Sequence, residues 1–334
     1  MPDGRFLIVR LGSLGDIIHT LPAVAALRDS FPHARIDWVV ESKWRAVLDG
    51  NRDLNRVISF DRQRVAGVVE TVASLRRAEY TCAIDFQSLY KSALLGFLSG
   101  AEERLGFDRA YAREGLATLL YTRRVRPSGM HKVEHNLSLA AAAGAALPGV
   151  PRFSFPESAE ANEWADGKLR ELGGRDFYVV SPGGGWRSKC WPAERYGALH
   201  CEISRRLGLQ GIVSFGPGEE KLAEAAVAAA GSNALFPLAM DLPQLMAVLR
   251  RAKFFVAADT GPLHLAAALG VSVVGLFGPT DPARNGPYGG ASIVVRKAEA
   301  GETTYKRGAS YSPAMMRIEV SDVLAAIDRL LGRA

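Results

Sequence analysis

Short apolar runs alternate with longer stretches of helical period from one end of the chain to the other. RFLIVRL (5–11), IDWVVE (36–41), VISF (57–60) and CAIDFQ (82–87) read as buried strands, being short, apolar and rich in β-branched residues. IIHTLPAVAALRDSF, Gly67–Arg77 and Tyr90–Leu98 carry apolar positions three and four apart and predict helices between them. The same programme restarts in the second half. Strands are predicted at FYVVSP (177–182), GIVSFG (211–216), FFVAA (254–258) and VSVVGLFG (271–278). Helices are predicted at Ala193–Leu207, Glu219–Ala230 and near Pro243–Arg251. This alternation implies parallel sheets with helices on both faces, so the fold class is α/β, built as two doubly wound domains.

The segment PGVPRFSFPESAE (148–160) holds three prolines and breaks the pattern, which marks an interdomain linker. Domains are therefore expected at 1–155 and 156–315. An amphipathic C-terminal helix, Val320–Leu331, lies in the remaining segment 316–334, after a weak loop SYSPAMM, and is free on pattern alone to pack on either domain.

Composition narrows the class. A length of 334 residues permits two cores, and 23% charged residues describe an ordinary globular chain. Nowhere do 18 apolar residues run together, which excludes a spanning helix, and the first residues read as a strand, not a signal peptide. Three cysteines without a CxxC pair fit a reducing cytosol. The net charge is +6, and 32 of the 41 basic residues are arginine, the side chain suited to bidentate grip on phosphate and carboxylate. The basic residues are densest at 104–135. That patch suits an acidic substrate or an anionic membrane surface. Nucleic acid is disfavoured, because aromatics are only 8% and no interleaved arginine–aromatic motif occurs.

Four loops after predicted strands can carry chemistry. In Gly12-Ser13-Leu14-Gly15-Asp16 the glycines allow close backbone approach, and Asp16 either caps the next helix or faces a substrate as a general base. The loop Ser181–Pro192 holds Gly183, Gly184 and Gly185, then Lys189, a mobile positive charge beside a possible phosphate nest. Neither loop matches GxGxxG or a Walker A sequence, which argues against a dinucleotide-binding oxidoreductase. Glu219 or Glu220, after the third loop, is placed to accept from ribose hydroxyls or to complement a helix dipole. The fourth loop, Asp259-Thr260-Gly261-Pro262-Leu263-His264, opens a helix whose free N–H groups suit a pyrophosphate. His131-Lys132-Val133-Glu134-His135 fits HxxEH, but it starts a helix and lacks a third ligand, so no metal site is expected.

Together these motifs resemble glycosyltransferase family 9, the ADP-heptose:lipopolysaccharide heptosyltransferases, with the type I members nearest. The resemblance rests on IVRLGSLGDIIHTLPA (8–23), DFQSLYKSALL (85–95), GFDRAYAREGLATLLYTRR (106–124), Lys189-Cys190-Trp191-Pro192, AADTGPLHLAAALG (257–270) and FGPTDP (277–282), in order over nearly the whole chain. It implies a GT-B fold whose two Rossmann-like domains face a cleft. It also implies inverting transfer of L-glycero-D-manno-heptose from ADP-heptose to the Kdo of Kdo–lipid A. The N-terminal half would bind the acceptor and the C-terminal half the donor, without a cofactor or obligatory metal. By that pattern Asp16 is the general base, and Lys189, Glu219, Met240, Asp259, Thr260, Gly261 and His264 bind the nucleotide sugar. Gly184 and Gly185, where some relatives have hydroxyl residues, leave backbone contacts only. Arg62, Lys91 and Arg113 fall where the family grips its anionic acceptor. A monomer, peripheral on the cytoplasmic face of the inner membrane, is the corresponding expectation. Type II and III heptosyltransferases and a nucleotide-sugar epimerase are the alternatives.

Overall fold

A computed structural model describes residues 4–61, 65–231 and 235–333. The chain divides into two units between Glu157 and Ser158. The first unit runs β1 (Arg5–Val9), α1 (Leu14–Ile18), α2 (Leu21–Ser30), β2 (Arg35–Glu41), β3 (Arg56–Phe60), α3 (Val65–Arg77), β4 (Cys82–Asp85), α4 (Tyr90–Leu98), β5 (Glu103–Phe107), β6 (Arg123–Val125) and α5 (Lys132–Ala142). Its six strands are all parallel, in the order β3-β2-β1-β4-β5-β6. The central strand, β1, is buried from Phe6 to Val9, as its unbroken apolar run requires.

The second unit runs α6 (Ala159–Glu171), β7 (Phe177–Ser181), α7 (Ala193–Leu207), β8 (Gln210–Phe215), α8 (Glu220–Ala230), β9 (Leu235–Ala239), α9 (Leu242–Leu249), β10 (Phe255–Ala258), α10 (Gly261–Ala268), β11 (Val273–Phe277), α11 (Pro282–Asn285), β12 (Ser292–Arg296), α12 (Pro313–Met316) and α13 (Val320–Leu330). Its sheet, also all parallel, is ordered β12-β11-β10-β7-β8-β9. Numbered from its own first strand, each sheet reads 3-2-1-4-5-6, so the same doubly wound topology occurs twice. In each unit the chain reverses direction across the sheet between the first and fourth strands. Loops at the carboxyl ends of those strands form the crevice where such sheets bind ligands.

Several expectations shift. The single helix predicted after the first loop is two. Leu14–Ile18 forms α1, and α2 begins at Leu21 with Pro22 in its first turn, where the missing N–H does no harm. The proposed linker overlaps α6, which Ser158 caps by accepting from the Ala161 N–H at 3.1 Å. Strands β5, β6, β9 and β12 carry Gly, Arg, Pro or Ser within short spans, and no alternation announced them. The loop SYSPAMM contains α12, with Met315 fully buried. The C-terminal helix α13 packs on the second unit, where Val323 and Ile327 join the core of Tyr178, Trp191 and Phe254. The Trp191 Nε1–H also donates to the Ile318 carbonyl at 2.8 Å.

Candidate functional site

In the first unit the loops after β1 and β4 are stitched together. The Leu11 N–H donates to Gln87 Oε1 at 2.8 Å, and the Trp38 Nε1–H donates to the Arg10 carbonyl at 2.9 Å. Arg10 itself is buried, its side chain 4% exposed. One guanidinium nitrogen donates to the Phe86 carbonyl, and the other lies 2.6 Å from Asp16 Oδ1. Asp16 Oδ2 accepts from the Ser13 hydroxyl at 3.0 Å and from the Ser13 N–H at 3.4 Å. Asp16 therefore does cap α1, from the third helical position, while its other oxygen is held by Arg10. The cap and the substrate-facing base of the sequence reading are thus compatible uses of one carboxylate.

Lys132 Nζ is 3.9 Å from the same Oδ1, and the Asp16 side chain keeps 22% of its surface exposed. Burial alone would raise the Asp16 pKa. Arg10, then Lys132, His19 and Arg113, outweigh burial and hold the carboxyl well below the usual range. The result is a partly open carboxylate, held in its ionised form by a basic nest.

Around this nest lie the other expected residues. Arg113 is exposed, with its charge felt at Asp16. Lys91 Nζ is 3.5 Å from Glu41 Oε1, at the end of β2. A Cβ at Gly12 would come within 2.8 Å of Trp44 Nε1 and 3.9 Å of Glu41 Oε2. Gly12 thus lets the Asp16 loop lie against the wall that holds Lys91. Arg62 lies outside the described residues.

In the second unit the loops after β7, β8, β10 and β11 converge. Asp259, its side chain 4% exposed, lies 2.6 Å through Oδ2 from Lys189 Nζ. The same oxygen accepts from Thr280 Oγ1 at 2.7 Å, and Oδ1 pairs with His264 Nε2 at 3.1 Å. Burial pushes the Asp259 pKa up, but the His264 and Lys189 contacts hold it below the ordinary carboxylate value. Lys189 is therefore not the mobile charge its glycine-rich loop suggested. It is clamped on Asp259, with Nζ 4.2 Å from the centre of the Trp186 ring.

Thr260 precedes α10 in extended conformation, and its side chain makes no capping hydrogen bond. With Pro262 lacking an N–H, the Gly261 and Leu263 N–H groups are the first-turn donors at this end of the helix. The glycines give close approach. A Cβ at Gly184 would meet Cys190 Sγ at 3.0 Å and Thr260 Cγ2 at 3.2 Å, whereas one at Gly185 would meet nothing.

Glu219 and Glu220 both turn back onto the loop after β8. Glu219 folds back, accepting from the Gly216 N–H at 3.0 Å, and packs so tightly that a Cβ at Gly183 would fall 2.1 Å from its carboxylate. Glu220 is directed to its own turn, accepting from the Gly218 N–H at 3.1 Å. Met240, half-buried, follows β9, the neighbour of β8, and Glu219 lies in the loop after β8.

The HxxEH segment is a helix start. The Glu134 carboxylate accepts from the Met130 and His131 N–H groups at 2.8 and 2.9 Å, and His131 Nδ1 accepts from the Val133 N–H at 3.2 Å. Among the described residues no group of three His, Cys, Asp or Glu side chains is placed to hold a metal ion. Burial pushes the Cys82 thiol up to about 12 and also raises Cys190. Neither supplies a thiolate at neutral pH.

Sequence reasoning missed Arg10, Lys132 and Thr280 as parts of these clusters. Thr280 lies in the FGPTDP turn, beside the fourth loop, so its neighbourhood was visible but its partner was not. Arg10 sits inside an apolar strand run, where a buried charge has no sequence signature.

Comparisons with known proteins identify the family. Residues 68–314 match the family described as glycosyltransferase family 9 (heptosyltransferase). The lipopolysaccharide heptosyltransferase 1 of Pseudomonas aeruginosa is 32% identical, over 92% of this chain and 88% of its own length. That of Escherichia coli is 31% identical, over 87% and 93%. The E. coli heptosyltransferase WaaC with ADP superposes with a TM-score of 0.78 at 27% identity, covering 98% of this chain and 99% of that one. A family 9 glycosyltransferase from Veillonella parvula has a TM-score of 0.83 at 21% identity over 99% and 98%, a likeness of fold. Two matched doubly wound units, an ionised aspartate after the first strand, and these relatives lead to one identification: the chain belongs to glycosyltransferase family 9 and is a glycosyltransferase.

Proposed function

We propose that this enzyme moves L-glycero-D-manno-heptose from ADP-heptose to the Kdo of the lipopolysaccharide inner core, with inversion at the anomeric carbon. The observation that carries the mechanism is Asp16, ionised, partly open and ringed by cations. A carboxylate held well below its usual pKa is a weak base, so it takes the proton late. In a displacement through an oxocarbenium-like state, the attacking hydroxyl becomes strongly acidic as its bond to carbon forms. Asp16 needs only to receive that proton then. Lys132, Arg113 and Lys91 offer the charge to hold Kdo and phosphate groups. A bound anionic acceptor offsets those cations and makes Asp16 a better base when it is needed.

The second unit holds the donor. The open N-terminus of α10 and Lys189 face the diphosphate, and stabilise it as it leaves with the bonding electrons. Glu219 takes the ribose hydroxyls, Met240 the adenine, and the Gly184–Gly185 backbone approaches the phosphates. Both carboxylate oxygens of Asp259 are already engaged, Oδ2 by Lys189 and Thr280 and Oδ1 by His264. Asp259 therefore acts on the donor by orienting those groups. No described helix is long and apolar enough to cross a membrane, and the acceptor is met at the cytoplasmic face of the inner membrane. The direct test is mass spectrometry of the product from purified protein, ADP-heptose and Kdo–lipid A. Addition of one heptose to Kdo is the expected result, and hydrolysis or epimerisation of the donor without an acceptor product overturns the reading.

A further inference from the structure

The first unit exposes apolar side chains beside its basic nest. Residues Gly115–Leu120 form a 3-10 turn packed on α4, with Ala93, Ala117 and Tyr121 buried between them. At three residues per turn, positions three apart share a face. With Ala117 and Thr118 directed inward, Leu116 and Leu119 both point out, 68% and 71% exposed. On α4, Tyr90 and Phe97, two turns apart on one face, are also exposed. Scattered apolar residues are unremarkable on a surface, but four large ones on two elements packed together are a patch.

The rim of this patch is positive. Between residues 104 and 126 the chain carries six arginines against Asp108 and Glu114. The Arg104 guanidinium lies over the Phe97 ring at 5.5 Å and donates to the Leu120 and Ala101 carbonyls. Arg124 donates to the Thr118 carbonyl at 3.1 Å. These two are pinned by carbonyls, so they are oriented without being neutralised. Arg109 is exposed against Gly115. None of Arg104, Arg109 and Arg124 has a carboxylate within ion-pair distance among the described residues. Arg113, in the same loop and three residues before Leu116, extends this positive field to Asp16.

We propose that the Gly115–Leu120 turn and the Tyr90–Phe97 face of α4 form a docking surface for an anionic lipid bilayer. Leu116 and Leu119 would enter the headgroup–acyl boundary, while Arg104, Arg109 and Arg124 hold lipid phosphates. The inference rests on the proposed reading, in which the acceptor is anchored in such a bilayer. It adds the surface that brings the first unit to it.

The test is flotation of the full-length protein with phosphatidylethanolamine–phosphatidylglycerol vesicles and with phosphatidylcholine vesicles. Wild type should float with the anionic vesicles and far less with the neutral ones. The Leu116→Ser/Leu119→Ser variant should bind the anionic vesicles at least about tenfold more weakly, and Arg109→Gln should bind more weakly with a reduced salt dependence. Both variants should transfer heptose to a de-acylated, water-soluble acceptor at the wild-type rate. That assay tests the proposed reaction separately and shows that the proteins are folded. Equal flotation of wild type and the leucine variant would overturn the proposal. So would light scattering that finds wild type dimeric and the leucine variant monomeric, which would assign the patch to a second copy of the chain.

Discussion

Each unit sets an aspartate–cation pair at the carboxyl ends of its central strands, Asp16 with Arg10 after β1 and Asp259 after β10 with Lys189 after β7, and the two pairs are arranged oppositely. In the first, the carboxylate is the accessible partner: Asp16 is partly open and its principal cation, Arg10, is buried behind it. In the second, the carboxylate of Asp259 is sealed in, and the accessible partner is Lys189. The fold supplies the same strand order each time, and which member of the ion pair faces out decides what the loops attract. A partly open carboxylate accepts a proton from a hydroxyl, whereas a partly open ammonium beside a helix N-terminus attracts a phosphate. Shared topology thus carries no shared chemistry.

The contrast can be broken one residue at a time. The largest effect should come from Asp16→Asn, which keeps the shape but cannot take a proton, so the rate should fall by roughly 100-fold or more. Because Arg10 is buried on that carboxylate, the variant should also lose about 2–3 kcal/mol of stability, as a buried charge left unpaired requires. ADP affinity measured by calorimetry should not change. Near-normal turnover in the folded variant would remove the base from the mechanism.

Lys189→Ala should cost about 2–4 kcal/mol of transition-state stabilisation, read as a fall in kcat/KM for donor. Unchanged kinetics would take Lys189 out of the site.

Arg10→Gln separates the two units by pH. The Asp16 pKa is depressed, so the ion pair stabilises the protein above the unfolded value near about 4 and is lost as pH falls below it. In wild type, Asp16 adds no acid limb to the rate between about pH 5 and 8. Without Arg10 its pKa rises, so the acid limb should move up, and the stability lost on acidification should shrink. An unshifted profile would mean that Arg10 does not govern Asp16.

Smaller still, Gly183→Ala should displace Glu219 and raise the donor KM about tenfold with little change in kcat, because the binding lost is equal in ground and transition states. Thr280→Val should have the least effect, about 1 kcal/mol of stability, since it removes one of three partners of Asp259. A loss as large as that of Lys189→Ala would show that Thr280 touches the donor.

Much of this arrangement was legible in the sequence, for physical reasons that also mark where reading stops. Strands β1, β7, β10 and β11 are continuous apolar runs because both faces are covered, and their helical partners have clear periodicity. Edge strands β6 and β12 have one free side and mixed composition, so they left no pattern. Asp16, Lys189 and the Asp259–His264 loop stood out because each follows a readable strand with glycines beside it. Their partners did not. Arg10 pairs with Asp16 across one turn of irregular backbone, and Thr280 meets Asp259 only because β10 and β11 are neighbours in the sheet. Those contacts are set by strand order, which no local run of residues encodes.

The clamp on Lys189 also bears on how the enzyme turns over. In the proposed reaction an incoming diphosphate does not find an idle ammonium. It competes with Asp259 for one, and Asp259 recovers its partner when the nucleotide departs. Donor binding is thus an exchange of counter-ions, and the attraction gained is only the difference between two pairings. ADP carries the same diphosphate as the donor, so a lysine with no competing carboxylate would hold product as firmly as substrate. On the proposed reading, Asp259 is a rival anion that stays in place and favours release of the spent nucleotide, leaving Lys189 paired again for the next donor.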